Sequence, residues 1–352
     1  MRTISERARK FHDEHPICDM LGINLNHPRF LLDDVDLGLQ RDDTFRADFP
    51  KLARWGIRLT VAKGGVSLLN DDYREMWSRQ PERRPGRDSE PMFLSMALPN
   101  PTQVALAVLD RFLLQVEGNP ERVFLLRTAE DLDRIGNDPR LAVLLAANRS
   151  DWFGDSPGVL RQFARMGLRM ITLGQATREL GWDPSNETRS GGRLTQLGVR
   201  MIAEMNRLGI LIDLAHSNDP CALDAIEISV SPVVDTHSVP RALADDPRAI
   251  PDEVMRALAA KGGVLGIMPP ISRPAASAAY ESLQPAEVAT TLSYVRYAVD
   301  VMGINAVGIG THFNTATMPA LTDALLDDGF SEADAAAILG GNFLRVLRTV
   351  LP

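Results

Sequence analysis

Cysteine is almost missing from this sequence. Cys18 and Cys221 are the two in 352 residues, too few for a disulfide framework or a thiolate zinc cluster. Lysine is nearly as rare, confined to Lys10, Lys51, Lys63 and Lys261, so the basic charge is almost all arginine. That skew reads as codon composition rather than a functional patch. Positive charge is in deficit overall: 38 Lys and Arg stand against 46 Asp and Glu, a net charge of −8. A nucleic-acid or anionic-membrane binder needs a basic face, so neither partner is expected. No run of about 18 apolar residues could span a bilayer, and the opening MRTISERARKFHDEHP lacks the apolar stretch of a secretory signal. The expected location is therefore the cytoplasm. Internal repeats are absent, and no GxGxxG turn follows an early strand.

What remains is ordinary for a globular protein, with 45% hydrophobic and 24% charged residues, which argues against disorder. Short, near-continuous apolar runs recur at Ile17–Leu21, Arg58–Lys63, Leu141–Ala147, Met170–Gly174, Leu211–His216, Pro232–His237, Gly263–Met268 and Ala306–His312. Such runs suit strands buried on both faces, as in a parallel sheet. Amphipathic stretches of helical length lie between them, including Gln103–Val116, Pro157–Met166, Leu194–Leu208, Pro251–Ala260 and Pro285–Met302. Several end at glycine, at Gly167, Gly209 and Gly303. Eight alternations predict an α/β fold, a closed (β/α)8 TIM barrel, with residues 1–352 as a single elaborated domain. The polar, proline-broken stretch at about 67–101 is expected to be a long loop. The alanine- and leucine-rich end from Met318 to Pro352 is expected to pack as helix outside the barrel.

Active sites of such barrels gather at the C-terminal ends of the strands. Three of the six histidines end expected strands: His216 in LIDLAH, His237 in PVVDTH and His312 in VGIGTH. Random placement would rarely put half of them there. Imidazoles converging on a barrel mouth suit zinc or a similar divalent ion; isolated, hydrogen-bonded histidines are the alternative. Asp235, two residues before His237, projects to the same face of an extended strand. Asp213 precedes His216 by three. Either carboxylate could orient an imidazole or accept a proton, or form a salt bridge or cap.

These blocks resemble the membrane (renal) dipeptidase family, the M19 metallopeptidases, from about Ile17 to Leu347. The likeness is densest in GLRMITLGQ, GRLTQLG, EMNRLGILIDLAH, PVVDTHS, AVGIGTHFN and GGNFLRVL. It implies an amidohydrolase-type (β/α)8 barrel and zinc-dependent hydrolysis of short peptides, and a homodimer is compatible with it. The departures are equally specific. The family's first strand ends in an Asp-x-His-x-Asp run, but here Asp19 is followed by Met20, Leu21, Gly22 and Ile23, so two ligands are lost. Asn148 stands where a bridging Glu is implied, and a neutral carboxamide cannot supply that charge. His216 and His237 match the retained histidines, and Gln175 replaces a substrate-contacting histidine. Arg248 matches the arginine that holds the substrate carboxylate. His312 stands at the last-strand acid, with Asn314 two residues on.

The binuclear centre is thus not expected. His216, His237 and His312 could hold one divalent metal, zinc first, or the site could be metal-free. His312, Asp235 and Asp19 are the candidate acid–base groups, while Arg248, Gln175, Asn148 and Lys63 are the substrate-side candidates. Lys63 ends the mostly apolar strand LTVAK. Its ammonium is expected to pair with Asp19 and replace part of the lost metal charge, or else to reach the barrel rim. The expected function is action on a small peptide-like or amide metabolite. A metal-independent tautomerase, lyase or cyclase of secondary metabolism, or a ligand-binding pseudoenzyme, is the alternative.

Overall fold

Apolar runs such as LAVLLAA leave no face for water, and all seven residues of that stretch are buried in a parallel strand. The computed structural model describes residues 4–25, 36–39, 48–64, 100–175, 178–187, 189–246, 248–270 and 285–352. Its strands are β1 (Ile17–Asn24), β2 (Ile57–Gly64), β3 (Val123–Leu125), β4 (Leu141–Ala147), β5 (Leu168–Thr172), β6 (Leu211–Asp213), β7 (Val234–Ser238), β8 (Val264–Ile267) and β9 (Val307–Ile309). All pairings are parallel, in the order β1-β2-β4-β5-β6-β7-β8-β9, with β3 flanking the first half of β4. β9 meets β1 through hydrogen bonds beyond its end: Phe313 N donates to Leu21 O at 2.8 Å, and Thr311 N to Asp19 Oδ1 at 3.0 Å. The eight expected strands therefore form a nearly closed parallel barrel. β3 is an addition to them, since three residues are too few to carry a period.

Helices α1 (Glu6–Glu14), α2 (Phe49–Arg54), α3 (Pro101–Glu117), α4 (Pro157–Met166), α5 (Gln196–Leu208), α6 (Asp219–Ile228), α7 (Asp252–Ala260) and α8 (Pro285–Met302) intervene between strands or precede the first. Their starts follow ordinary capping chemistry, with Ser156, Thr195 and Asn218 each accepting a backbone N–H at the N-cap. The expected loop at 67–101 falls mostly outside the described residues, and Pro101 already opens α3. No helix of the described residues is long and apolar enough to cross a membrane.

The C-terminal segment is broken, as one helix it is not. α9 (Met318–Asp327), α10 (Glu332–Ala336) and α11 (Asn342–Val350) are separated by Gly329 at φ 91° and by a π turn over Ala337–Gly341. Gly340 permits that turn, because a Cβ there would lie 2.1 Å from Pro16 O. Asn342 then donates to Ile304 O and Val307 O, both at 2.8 Å. α11 buries Phe343, Val346, Leu347 and Val350 in a cluster with Cys18, Met20, Leu59 and Val61 from the strands.

β6 and β9 stop short of the expected His216 and His312. Asp213 Oδ1 accepts Ala215 N at 3.1 Å, and Ser217 N returns to Leu214 O at 2.9 Å, so the chain leaves the ladder immediately after Asp213. After that turn Asn218 starts α6, its Oδ1 accepting Cys221 N at 2.9 Å while its Nδ2 donates to Gly192 O at 3.0 Å. Asn218→Ala is expected to lower unfolding free energy by about 1 kcal/mol, the usual cost of a lost cap. Chemical denaturation followed by circular dichroism measures it, and an unchanged midpoint would contradict the assignment.

Candidate active site

Lysine at the end of an apolar strand has to find a counter-charge, because an isolated ammonium is costly to bury. Lys63, on β2, is 1% exposed, and its Nζ donates to Asp213 Oδ2 at 2.7 Å and to Thr236 Oγ1 at 3.0 Å. Asp213, at the end of β6, is wholly buried and accepts also from Thr172 Oγ1 at 2.7 Å, Thr236 Oγ1 at 2.9 Å and Thr236 N at 2.8 Å. Burial pushes its carboxyl up, but the Lys63 charge and these hydrogen bonds outweigh that and hold it below its ordinary value.

The expected Asp19–Lys63 pair is therefore corrected to Asp213–Lys63. The reason is register. Asp19 lies opposite Thr60 on β2, whereas Lys63 lies opposite Asn24, three residues or about 10 Å further along the strand. Asp19 is saturated elsewhere. Its oxygens accept from Leu21 N, Thr311 N, Thr311 Oγ1 and Thr315 Oγ1 at 2.5 to 3.0 Å, a clamp between β1 and the end of β9. Burial raises its pKa against those bonds.

The three histidines come together at the C-terminal ends of β6, β7 and β9. His216 Nε2 faces His237 Nε2 at 3.0 Å, with ring centroids 4.9 Å apart, and the His237 and His312 centroids are 5.3 Å apart. His237 belongs to β7, but His216 and His312 sit in left-handed turns at φ 68° and φ 52°, with Phe313 at φ 70°. These are the positive-φ residues other than glycine among the described residues. Such a backbone costs an L-residue free energy and gathers where geometry serves a ligand. Burial, with Arg248 and Lys63 nearby, lowers His216 and His312 to about 3. His237 is pushed well down by burial and Lys63. All three rings are neutral near pH 7.

The remaining candidates divide. Arg248 binds Asp246 through Nε at 3.2 Å and Nη2 at 3.3 Å, and its charge reaches all three rings. Asp246 also lines a groove of about 620 Å³ shared with Ser185, Asn218, Asp219 and Arg241, beside the His216 turn. Asp235 is buried, its Oδ1 accepts His237 N at 3.2 Å, and burial with the Asp213 charge pushes it up to about 7. Asn148 follows β4 and donates its N–H to Gly64 O, while its buried Oδ1 has no partner. Gln175 is half-buried after the turn at Gly174, φ 93°. Thr172 and Thr236 are functional positions that the sequence reading does not single out. Threonine is an ordinary strand former, so nothing in MITLG or VVDTH marks its hydroxyl as engaged.

The two first-strand positions where the resemblance implies ligands are buried hydrocarbon: Leu21 is 1% and Ile23 0% exposed. Among the described residues, one set of three His, Cys or carboxylate groups has all its ligand atoms within 4.8 Å, namely Glu14, His15 and Glu332 at the surface. His216, His237 and His312 do not form such a set. The facing pair His216 and His237 brings two imidazole nitrogens to 3.0 Å at the mouth.

The family described as "Membrane dipeptidase (Peptidase family M19)" matches residues 7–351. Dipeptidase tcpJ of Claviceps purpurea (strain 20.1) is 29% identical over 244 residues, covering 65% of this chain and 56% of that protein. Dipeptidase 3 of Mus musculus is 29% identical over 282 residues, covering 73% of this chain and 55% of that protein. The chain thus spans little more than half the length of these relatives. Its fold is similar to that of a metallo peptidase from Rhodobacter sphaeroides liganded with a phosphinate mimic of the dipeptide L-Ala-D-Ala. The TM-score is 0.77 at 22% identity, over 96% of this chain and 99% of that one.

Proposed function

Because the chain belongs to the membrane dipeptidase family, peptidase family M19, we propose that it is a barrel-mouth enzyme acting on a small peptide-like or amide substrate with a free carboxylate. At most one divalent ion serves its centre. The observation that carries this reading is the facing pair of His216 Nε2 and His237 Nε2, 3.0 Å apart. Both stand where the resemblance keeps its histidines.

The residues do not fit a two-ion centre. Leu21 and Ile23 offer no donor, Asn148 offers a neutral oxygen, and the Lys63 ammonium lies within the barrel. A single ion fits better. His216 and His237 are neutral imidazoles with adjacent Nε2 atoms, and His312 is the candidate third donor. Such an ion supplies Lewis-acid polarisation of a carbonyl and a more acidic water.

The chain's own groups carry the rest. Arg248, held by Asp246, presents a guanidinium suited to a substrate carboxylate. Asp235, at about 7, exchanges a proton near neutrality. Gln175 and Asn148 offer carboxamides at the ends of β5 and β4. A metal-independent form, in which the same histidines do acid–base work, is favoured by one observation: Lys63 and Arg248 place two cations near the rings, a field that opposes a dication.

Purified, zinc-supplemented protein is expected to hold at most one equivalent of divalent metal by elemental analysis. It is expected to turn over dipeptides and N-acyl amino acids but not their C-terminal carboxamides. Two equivalents, or no turnover of any free-carboxylate amide, would refute the reading. Undiminished turnover after chelation, with no metal bound, selects the metal-independent form.

A further inference from the structure

Thr236 Oγ1 touches three groups: Lys63 Nζ at 3.0 Å, Asp213 Oδ2 at 2.9 Å and His237 Nδ1 at 2.8 Å. A hydroxyl has one proton to give. Lys63 is a donor and cannot receive it. Asp213 is an ionised acceptor, and turning the hydroxyl proton away from it would leave two oxygens facing each other at 2.9 Å in a dry interior. The proton therefore points to Asp213, and Thr236 Oγ1 must accept from His237. Which ring nitrogen carries the proton follows from the hydrogen bond the other ring atom makes.

We infer that Lys63 is a positioning residue. Acting through Thr236 and Asp213, it locks His237 as the Nδ1–H tautomer, so that His237 Nε2 is a permanent acceptor at the barrel mouth. The buried ammonium sets the polarity of the chain. It donates into both Thr236 and Asp213, draws the Thr236 proton onto the carboxylate, and leaves the hydroxyl oxygen able only to accept. Thr172 adds a second hydroxyl to Asp213 Oδ2 and so fixes the carboxylate. At the far end, His216 Nε2 lies 3.0 Å from the open His237 Nε2. Either His216 lends that lone pair a proton, or both nitrogens turn to one electrophile. The inference rests on reading His237 as a working imidazole of the site, but it requires neither a metal nor a known substrate.

Histidine-selective ¹⁵N labelling of the full chain, with two-bond ¹H–¹⁵N correlation spectra, tests it. His237 is identified from the signal lost in His237→Gln. In the unsubstituted protein, after chelation, His237 is expected solely as the Nδ1–H tautomer. Thr236→Val, which keeps the shape and removes the oxygen, is expected to move it toward Nε2–H, and Thr236→Ser to restore it. A His237 protonated on Nε2 in the unsubstituted protein, or one unmoved by Thr236→Val, would overturn the lock. If Thr236→Val fails to fold, the unsubstituted spectrum decides alone. A locked His237 in a protein that turns over no amide would leave this inference standing and remove the hydrolytic reading.

Discussion

Lys63→Met is expected to lower unfolding free energy by about 3–5 kcal/mol, the usual cost of removing one partner of a buried ion pair. The loss arises less from the missing attraction than from what remains. Asp213 would stay wholly buried, without its cation, among hydroxyl and amide donors. The double variant Lys63→Met/Asp213→Leu removes both charges and is expected to recover most of the loss, since apolar replacement of a buried pair is often neutral. Exposed pairs provide the contrast. Arg256→Ala, which breaks the contact to Asp252 at 2.9 Å on the surface of α7, is expected to cost about 0–1 kcal/mol. Urea unfolding of the four proteins measures all of this. A Lys63→Met variant within 1 kcal/mol of the unsubstituted protein would mean that the pair is unimportant to the fold.

His216→Gly should separate stability from activity. At φ 68° the histidine holds a backbone conformation that glycine adopts freely. Relief of that strain, of order 1–3 kcal/mol, offsets the packing lost with the ring. The unfolding midpoint is therefore expected to change little. Turnover of a free-carboxylate dipeptide is expected to fall by about 100-fold or more, the contribution typical of a positioned acid–base or ligand group. His237→Ala, on β7 without a positive φ, is expected to lose as much activity and also stability, because no left-handed backbone is relieved there. Paired measurements of kcat/KM and denaturation midpoint test both. If His216→Gly kept more than a tenth of the activity, His216 would not belong to the chemistry.

The chain shares the barrel of its family, and its interior holds the buried Lys63–Asp213 pair. Asp19 is a clamp between strand ends, with four donors on its two oxygens. Lys63 places a buried cation within the barrel. A lysine in a strand tells a reader that a counter-charge exists, but not where it is. Asp19 is the nearer choice by strand order, and Asp213 is the correct one by height along the barrel.

Other differences have the same origin. Met170, Ile171, Leu211 and Ile212 announce their strands by composition, because burial on both faces demands it. The ends of β6 and β9 do not, since they are set by backbone amides beyond the ladder, Ala215 N and Thr311 N, donating to the Asp213 and Asp19 carboxylates. Gly310 is similar. Nothing local requires glycine in VGIGTH, but a Cβ there would lie 1.8 Å from Thr236 O on β7.

The eight-strand alternation, the glycine helix ends and the gathering of His216, His237 and His312 are legible along the chain. Each depends on local periodicity or on the rule that strand ends share one face of the barrel. That Lys63 meets Asp213, that Thr236 links them to His237, and that two histidines stand in left-handed turns emerges from the folded barrel alone. Those outcomes depend on the relative register of strands far apart in the chain, which side-chain periodicity along any one strand does not encode.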